Sequence, residues 1–225
     1  MSSLIASDNG GGGGSYKPVP PGMHLGRCYR VIDTGTHKSE YKETVKFQRK
    51  IVVQFEVHGE DENGNPLVTE KGEPLSISKN YTLSLGEKAT LRIDLVSWRG
   101  RAFTPEELRG FELKNILGVW AMLTVSKSIG NNGKEYTNIV NVNPVPPQIK
   151  KMGLPTGHNK TSLFSIEDPD MVLFESFSNN LKQKIESSPE WKAKTNSAPE
   201  RQAPINQAPS AHDSGFDDME SDIPF

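Results

Sequence analysis

Ser84-Leu85-Gly86-Glu87-Lys88-Ala89-Thr90-Leu91-Arg92-Ile93-Asp94-Leu95-Val96-Ser97-Trp98-Arg99-Gly100 is the stretch on which the fold turns. Before it, apolar residues recur with period two; within it they recur at helical spacing. Leu91, Leu95 and Trp98 fall on one helical face. Ser84 and Glu87 have the spacing of a capping box, and Gly100 suits a C-terminal stop. The pattern predicts a helix over residues 86–98 with Trp98 in the core.

Strands flank that helix on both sides. Leu75–Leu83 reads as the strand leading into it. Before this, Asp61–Pro74 holds Glu-Asn-Gly-Asn-Pro and Lys-Gly-Glu-Pro, both turn-forming. Val45–His58 is the clearest strand: Val45, Phe47, Ile51, Val53, Phe55 and Val57 share one parity, and Lys46, Gln48, Lys50, Gln54 and Glu56 the other. That alternation places one face in a core and one in water. Leu25–Thr34 reads as the first strand, joined to the second by a polar loop over Gly35–Thr44. After the helix, Thr104-Pro105-Glu106-Glu107 opens a short second helix with Thr as N-cap and Pro at the first position. Leu113–Ser126 is an apolar fourth strand, Asn131-Asn132-Gly133 a hairpin turn, and Tyr136–Val142 a fifth strand closed off by Pro144, Pro146 and Pro147.

The order β-β-β-α-β-β, with a helix between strands three and four, is that of an OB-fold, a five-stranded partly open Greek-key barrel. Ubiquitin-like and SH3-like folds place their helices elsewhere. The fold class expected is mainly β: an OB-fold barrel over residues 23–147, a flexible Gly/Pro-rich segment over 1–22, an extension with an amphipathic helix over 148–187, and a disordered tail over 188–225. In the extension, residues 148–166 read as irregular. Asp168-Pro169 then opens a helix whose apolar stripe is Phe174, Phe177, Leu181 and Ile185. That helix packs back onto the barrel or forms a homo-oligomer contact.

The net charge of -2 over 225 residues hides an asymmetry: residues 16–160 carry +6 and residues 161–225 carry -7. A basic body with an acidic tail suits a polyanion binder, and equally an ordinary solvated body with a solubilising tail. Cys28 is the only cysteine, which rules out an intrachain disulfide and points to a reducing compartment. No basic leader precedes an apolar run. The longest apolar-rich stretch, Ile116–Val125, spans about half of the ~20 residues a membrane helix needs. The expected location is the cytoplasm of a bacterial or infected host cell.

OB-folds bind oligonucleotides across strands 2 and 3 and the loops between strands 1–2 and 4–5. Both loops here set cations beside a ring: Lys38, Tyr41 and Lys42 in the first, Lys127, Lys134 and Tyr136 in the second. Strand 2 presents Lys46 and Lys50, and strand 3 adds Lys79 and Tyr81. Cations neutralise phosphates, and flat rings stack on unpaired bases for roughly 1–3 kcal/mol each, whatever the base. Those ten residues are the candidate single-stranded DNA face. Tyr81 and Tyr136 have a core role as the alternative. Phe47 is expected in the core, with a surface position near the strand end as the alternative; Trp120 is expected in the core, and Arg99 and Arg101 are solvated or track a phosphate.

Enzyme signatures are lacking. The sequence holds no paired CxxC, HExxH, Walker A or GxSxG pattern, and its histidines (24, 37, 58, 158 and 212) are scattered. Glu106-Glu107 sits at a helix start, where the helix dipole explains it. The expectation is a non-enzyme without metal or cofactor.

Asp217-Asp218-Met219-Glu220-Ser221-Asp222-Ile223-Pro224-Phe225 puts a hydrophobic tip behind an acidic run. It resembles the tail tip of bacterial single-stranded DNA-binding proteins. Leu83–Ala89, Leu95–Gly100 and Pro189-Glu190-Trp191 resemble the phage- and plasmid-encoded members of that group. The resemblance implies that Phe225 enters a hydrophobic pocket on a partner, that its carboxylate meets a basic residue there, and that the acids meet a basic ridge. It also implies that the tail competes with DNA for the barrel. The function implied is to coat and protect single-stranded DNA without strong sequence preference, and to recruit replication, recombination or repair proteins through the tip. A recombination mediator or strand-annealing protein is the nearer alternative, and a protein-only adaptor the more distant one. RNA remains open, because stacking does not read the sugar.

Overall fold

A computed structural model describes residues 17–41, 44–130, 133 and 135–196. The five-glycine run and the acidic tip, Asp217 to Phe225, lie outside the described residues.

The molecule is mainly β. Six strands form one sheet: β1 (Gly22–Tyr41), β2 (Thr44–His58), β3 (Leu75–Thr82), β4 (Trp120–Ile129), β5 (Glu135–Asn143) and β6 (Ser162–Phe164). The antiparallel path runs β3-β2-β1-β4-β5, and β6 pairs with β1 in parallel over Arg30–Ile32. β1 changes neighbours along its length: Gly22–Arg27 pairs with β4, and register shifts after Cys28 and Asp33 bend it.

Three expectations about local structure change. Residues 35–41 are not a loop but the second half of β1, paired rung by rung with β2 out to Tyr41 opposite Thr44. The long β2 would otherwise leave a row of backbone donors and acceptors unpaired, and this segment satisfies them. The helix α1 starts at Thr90 and runs to Arg99. Ser84 accepts from the Gly86 amide at 3.2 Å, which makes a turn instead of the capping box. Gly100, at φ 67°, closes α1 as expected. Residues Leu113–Ile116 form a 3-10 turn, and Gly118, at φ 79°, redirects the chain before β4 begins. The second helix, α2 (Pro105–Arg109), has the expected cap: Thr104 and Glu107 form a complete capping box.

Two cores flank the β1–β2 ribbon. The inner one gathers Val31, Ile51, Val53, Phe55, Leu123 and Val142 with Leu91, Leu95 and Trp98 of α1. The outer one is the work of the C-terminal extension. α3 (Pro147–Met152) and β6 occupy the stretch expected to be irregular. The single helix expected from Asp168 is instead α4 (Met171–Glu175), capped by Asp170, followed by α5 (Asn179–Glu186). Phe174, Phe177 and Ile185 pack against Ile32 and Val52, so this extension folds back onto the sheet.

The fold also reaches past residue 187, where a disordered tail was expected. α6 (Pro189–Asn196) is a helix whose Trp191 ring stacks on Phe174 at 4.6 Å. Ser188 accepts from the Trp191 amide at 3.3 Å, and Glu190 accepts from the Thr36 amide at 2.9 Å. The contact is close: a Cβ on Gly35, already at φ 80°, would lie 2.3 Å from Ser188 Cβ. The outer face of the ribbon is therefore dry at its centre, not in water. Among the described residues no helix is long and apolar enough to cross a membrane.

Candidate nucleic-acid interface

The candidate residues divide among three places. Lys38 and Lys46 lie on the outer half of the β1–β2 hairpin, Lys38 opposite Phe47 and Lys46 opposite Ser39. This half extends beyond both cores, and its ring is out: Phe47 is 70% exposed, so it is not the core residue its parity suggested. Lys38 is ion-paired with Glu40 at 3.3 Å, and both side chains are mostly exposed. Lys42 and the side chain of Tyr41 lie outside the described residues.

Lys127 and Tyr136 lie on the β4–β5 hairpin, where Lys127 meets Glu135 at 3.0 Å and Tyr136 is 47% exposed. Ile129 beside them is the most exposed aliphatic on this hairpin, at 76%. Lys134 lies outside the described residues. The registers set the two hairpin tips at opposite ends of β1, because β4 continues past its pairing with Gly22 while β2 turns back at Tyr41.

Lys79 and Tyr81 point elsewhere. Tyr81 is a core residue, 5% exposed, and donates its hydroxyl proton to Asp94 of α1 at 2.7 Å. Burial first, and then the Asp94 charge, push its hydroxyl pKa up, so it stays neutral. Lys79 is ion-paired with the same carboxylate at 2.6 Å and donates to the Val140 carbonyl of β5 at 2.8 Å. Both are committed to internal partners, and Tyr81, which lines the cleft beside Lys50, is almost wholly buried.

Lys50 sits in a cleft of about 560 Å³ between these regions. Its floor is the outer edge of β2 and β3: Gln48, Lys50, Asn80 and Thr82. The turn before α1 brings Lys88, and α5 brings Lys184. Lys50 donates to Gln48 at 2.9 Å and to Thr82 at 2.7 Å; Lys184 donates to Asn80 at 3.1 Å. Among the described residues no Asp or Glu lines the cleft. His37 and Gln48 are partners in the β1–β2 register, and the next rung outward in that order is Lys38 with Phe47. The cleft thus runs directly into the cationic hairpin.

No protein-family model matches the chain, and no curated protein matches it.

Sequence reasoning favoured burial for Phe47 and missed Lys88 and Lys184. Phe47 carried a signal, since it lies between Lys46 and Gln48 near a strand end. Lys184 carried none, because only tertiary folding brings α5 over β3. Arg99 is not a phosphate tracker in this structure: it is paired with Glu107 at 2.5 Å and lies over the Phe103 ring at 4.4 Å. Arg101 meets the same carboxylate at 2.8 Å. Trp120 is half-buried, edge-on to His58 at 5.0 Å.

Cys28 is fully buried and burial pushes its thiol up to about 12, which keeps it from acting as a thiolate. Among the described residues no group of three or more His, Cys, Asp or Glu could hold a metal ion.

Proposed function

We propose that this protein binds single-stranded DNA without strong sequence preference, as a coating and protecting protein rather than an enzyme. The observation that carries the reading is the carboxylate-free lysine cleft on the β2–β3 face, continuous with a hairpin that presents Lys38, Lys46 and the exposed ring of Phe47. Cations for phosphates next to a ring for a base are what an unpaired strand requires and a duplex cannot use. In this reading the path β3-β2-β1-β4-β5 is an OB-type barrel. The bond from Lys79 of β3 to the Val140 carbonyl of β5 supports that, since it ties together the two ends of the path.

The tip from Asp217 to Phe225 completes the proposal. Its resemblance to single-stranded DNA-binding protein tails supports a role in recruiting replication, recombination or repair proteins in the cytoplasm of a bacterial or infected cell. Deleting Phe225 is expected to abolish capture of such a partner and to leave oligo-dT affinity intact or slightly raised.

The decisive measurement is fluorescence anisotropy of labelled oligo-dT over a salt series, beside a duplex and an RNA of equal length. Tight single-strand binding that weakens steeply with salt, and weak duplex binding, are expected. Equal affinity for duplex and single strand at moderate salt would overturn the proposal. Binding of RNA as tight as DNA would remove the sugar preference and leave the strand preference.

A further inference from the structure

Among the described residues, Lys38, Lys79, Lys114, Lys127 and Lys182 each pair with a carboxylate. The cleft lysines, like several lysines elsewhere on the surface, make no such pair, but they face one another in a shared cleft. Lys50 and Lys184 hydrogen-bond only neutral acceptors, the amides of Gln48 and Asn80 and the hydroxyl of Thr82. Lys88, exposed at the cleft's edge, likewise makes no ion pair with a carboxylate among the described residues. Lys184 is half-buried, and its pKa is held down first by burial and then by the charge of Lys50. Two cations that feel one another across a shared void, with no counter-charge between them, are an arrangement an anion relieves.

We propose that Lys50 and Lys184 clamp one backbone phosphate of the bound strand, so that the C-terminal extension supplies part of the nucleic-acid surface. This rests on the single-strand reading above and adds a residue, Lys184, from outside the five-stranded path. The volume of about 560 Å³ lies within the roughly 300–1,000 Å³ of sites that take small organic molecules. A nucleotide therefore enters with its phosphate. The Gln48, Asn80 and Thr82 side chains offer neutral donors and acceptors to whichever base or sugar follows. A strand fits better than a free nucleotide, because the cleft opens onto the His37–Gln48 and Lys38–Phe47 rungs, which carry a continuing chain toward Lys46.

The test uses the full chain and the salt dependence of oligo-dT binding. Each phosphate neutralised on a single strand contributes about 0.7 to the slope of log K against log salt. Lys184→Gln should flatten the slope by about that amount, and Lys50→Gln, on the cleft floor, by a similar amount. Lys71→Gln changes the same charge on the β2–β3 connection, away from the cleft, and should leave the slope unchanged. Lys184→Arg keeps the charge and should retain the parent's slope, which separates charge from packing. Thermal melts by circular dichroism verify that each variant is folded. If Lys184→Gln and Lys50→Gln both keep the full slope while the parent binds oligo-dT, the clamp is overturned and the single-strand reading stands. If the parent does not bind oligo-dT, that reading falls and the strand clamp with it. Thymidine 5′-monophosphate binding that is lost in Lys184→Gln would then assign the cleft to a free nucleotide.

Discussion

Val45 and Phe47 occupy one end of β2 and Val53 and Phe55 the other, all in one parity. The first two are exposed, and the second two are buried to 1% or less. Alternation fixes which face of a strand a side chain takes. It does not set how far along the strand the covering layer reaches. At the root of the β1–β2 hairpin, α1 and the other strands cover the inner face, and α4, α5 and α6 cover the outer one. At the tip neither layer arrives, so the same residue type changes from a core residue to a surface for another molecule. A large exposed ring flanked by lysines is the informative kind of exception to burial.

The comparison breaks most readily at the root. Trp191→Ala removes the ring stacked on Phe174 and opens the outer core. Large-to-small changes of this kind cost about 3–5 kcal/mol. The expected result in urea unfolding is a loss of that size. A loss below about 1 kcal/mol would show that the extension does not stabilise the ribbon, because surface changes rarely exceed half of that.

At the tip, the same operation should act on binding and not on folding. Phe47→Ala is expected to leave the unfolding free energy within about 0.5 kcal/mol. It should weaken oligo-dT binding by about 1–3 kcal/mol, the contribution of one base stacked on a ring. A Phe47→Tyr variant keeps the flat face and should recover most of the affinity. If Phe47→Ala destabilised the fold and left affinity unchanged, root and tip would be one structural unit and the hairpin would lose its assigned role.

What could be read in advance divides along the same line. The α1 stripe of Leu91, Leu95 and Trp98 was legible, because a helix face depends on residues within a few positions. The helix start was not, because Ser84 and Gly86 close a competing local turn. The lysines and rings of the candidate face were legible as residue types only. Their partners were not: Lys79 and Tyr81 meet on Asp94, which is local to neither. The tail boundary failed for a similar reason. Pro189-Glu190-Trp191 has the composition of a linker, and only Phe174 and Thr36, contributed by distant elements, make it a docked helix. Local periodicity carries the elements; partners across the fold decide which of their faces remain available.

The smallest effect expected belongs to Glu56, which is buried on the outer side of β2 at the root end of the ribbon. It is ion-paired with Arg27 at 3.2 Å and accepts from the Asn159 amide at 2.7 Å, the Asn159 side chain at 2.7 Å and the His158 amide at 3.0 Å. His58 also approaches it at 3.3 Å. Burial alone would raise its pKa, but the Asn159 and His158 hydrogen bonds outweigh burial and bring it below its ordinary 4.5. The two influences oppose one another, which is why the net effect is small. A carboxylate with a depressed folded-state pKa contributes stability that is present above the unfolded pKa and is lost as pH falls through the folded one. Stability measured by urea unfolding should therefore decline below pH 4.5, and Glu56→Gln should show a shallower decline than the parent over that range. Other depressed carboxylates, Glu107 and Asp61 among them, remain in both proteins, so only the difference between the two curves reports Glu56. Identical acid limbs would mean that the segment around Asn159 is released before Glu56 titrates, and that the outer layer separates from the ribbon as a unit.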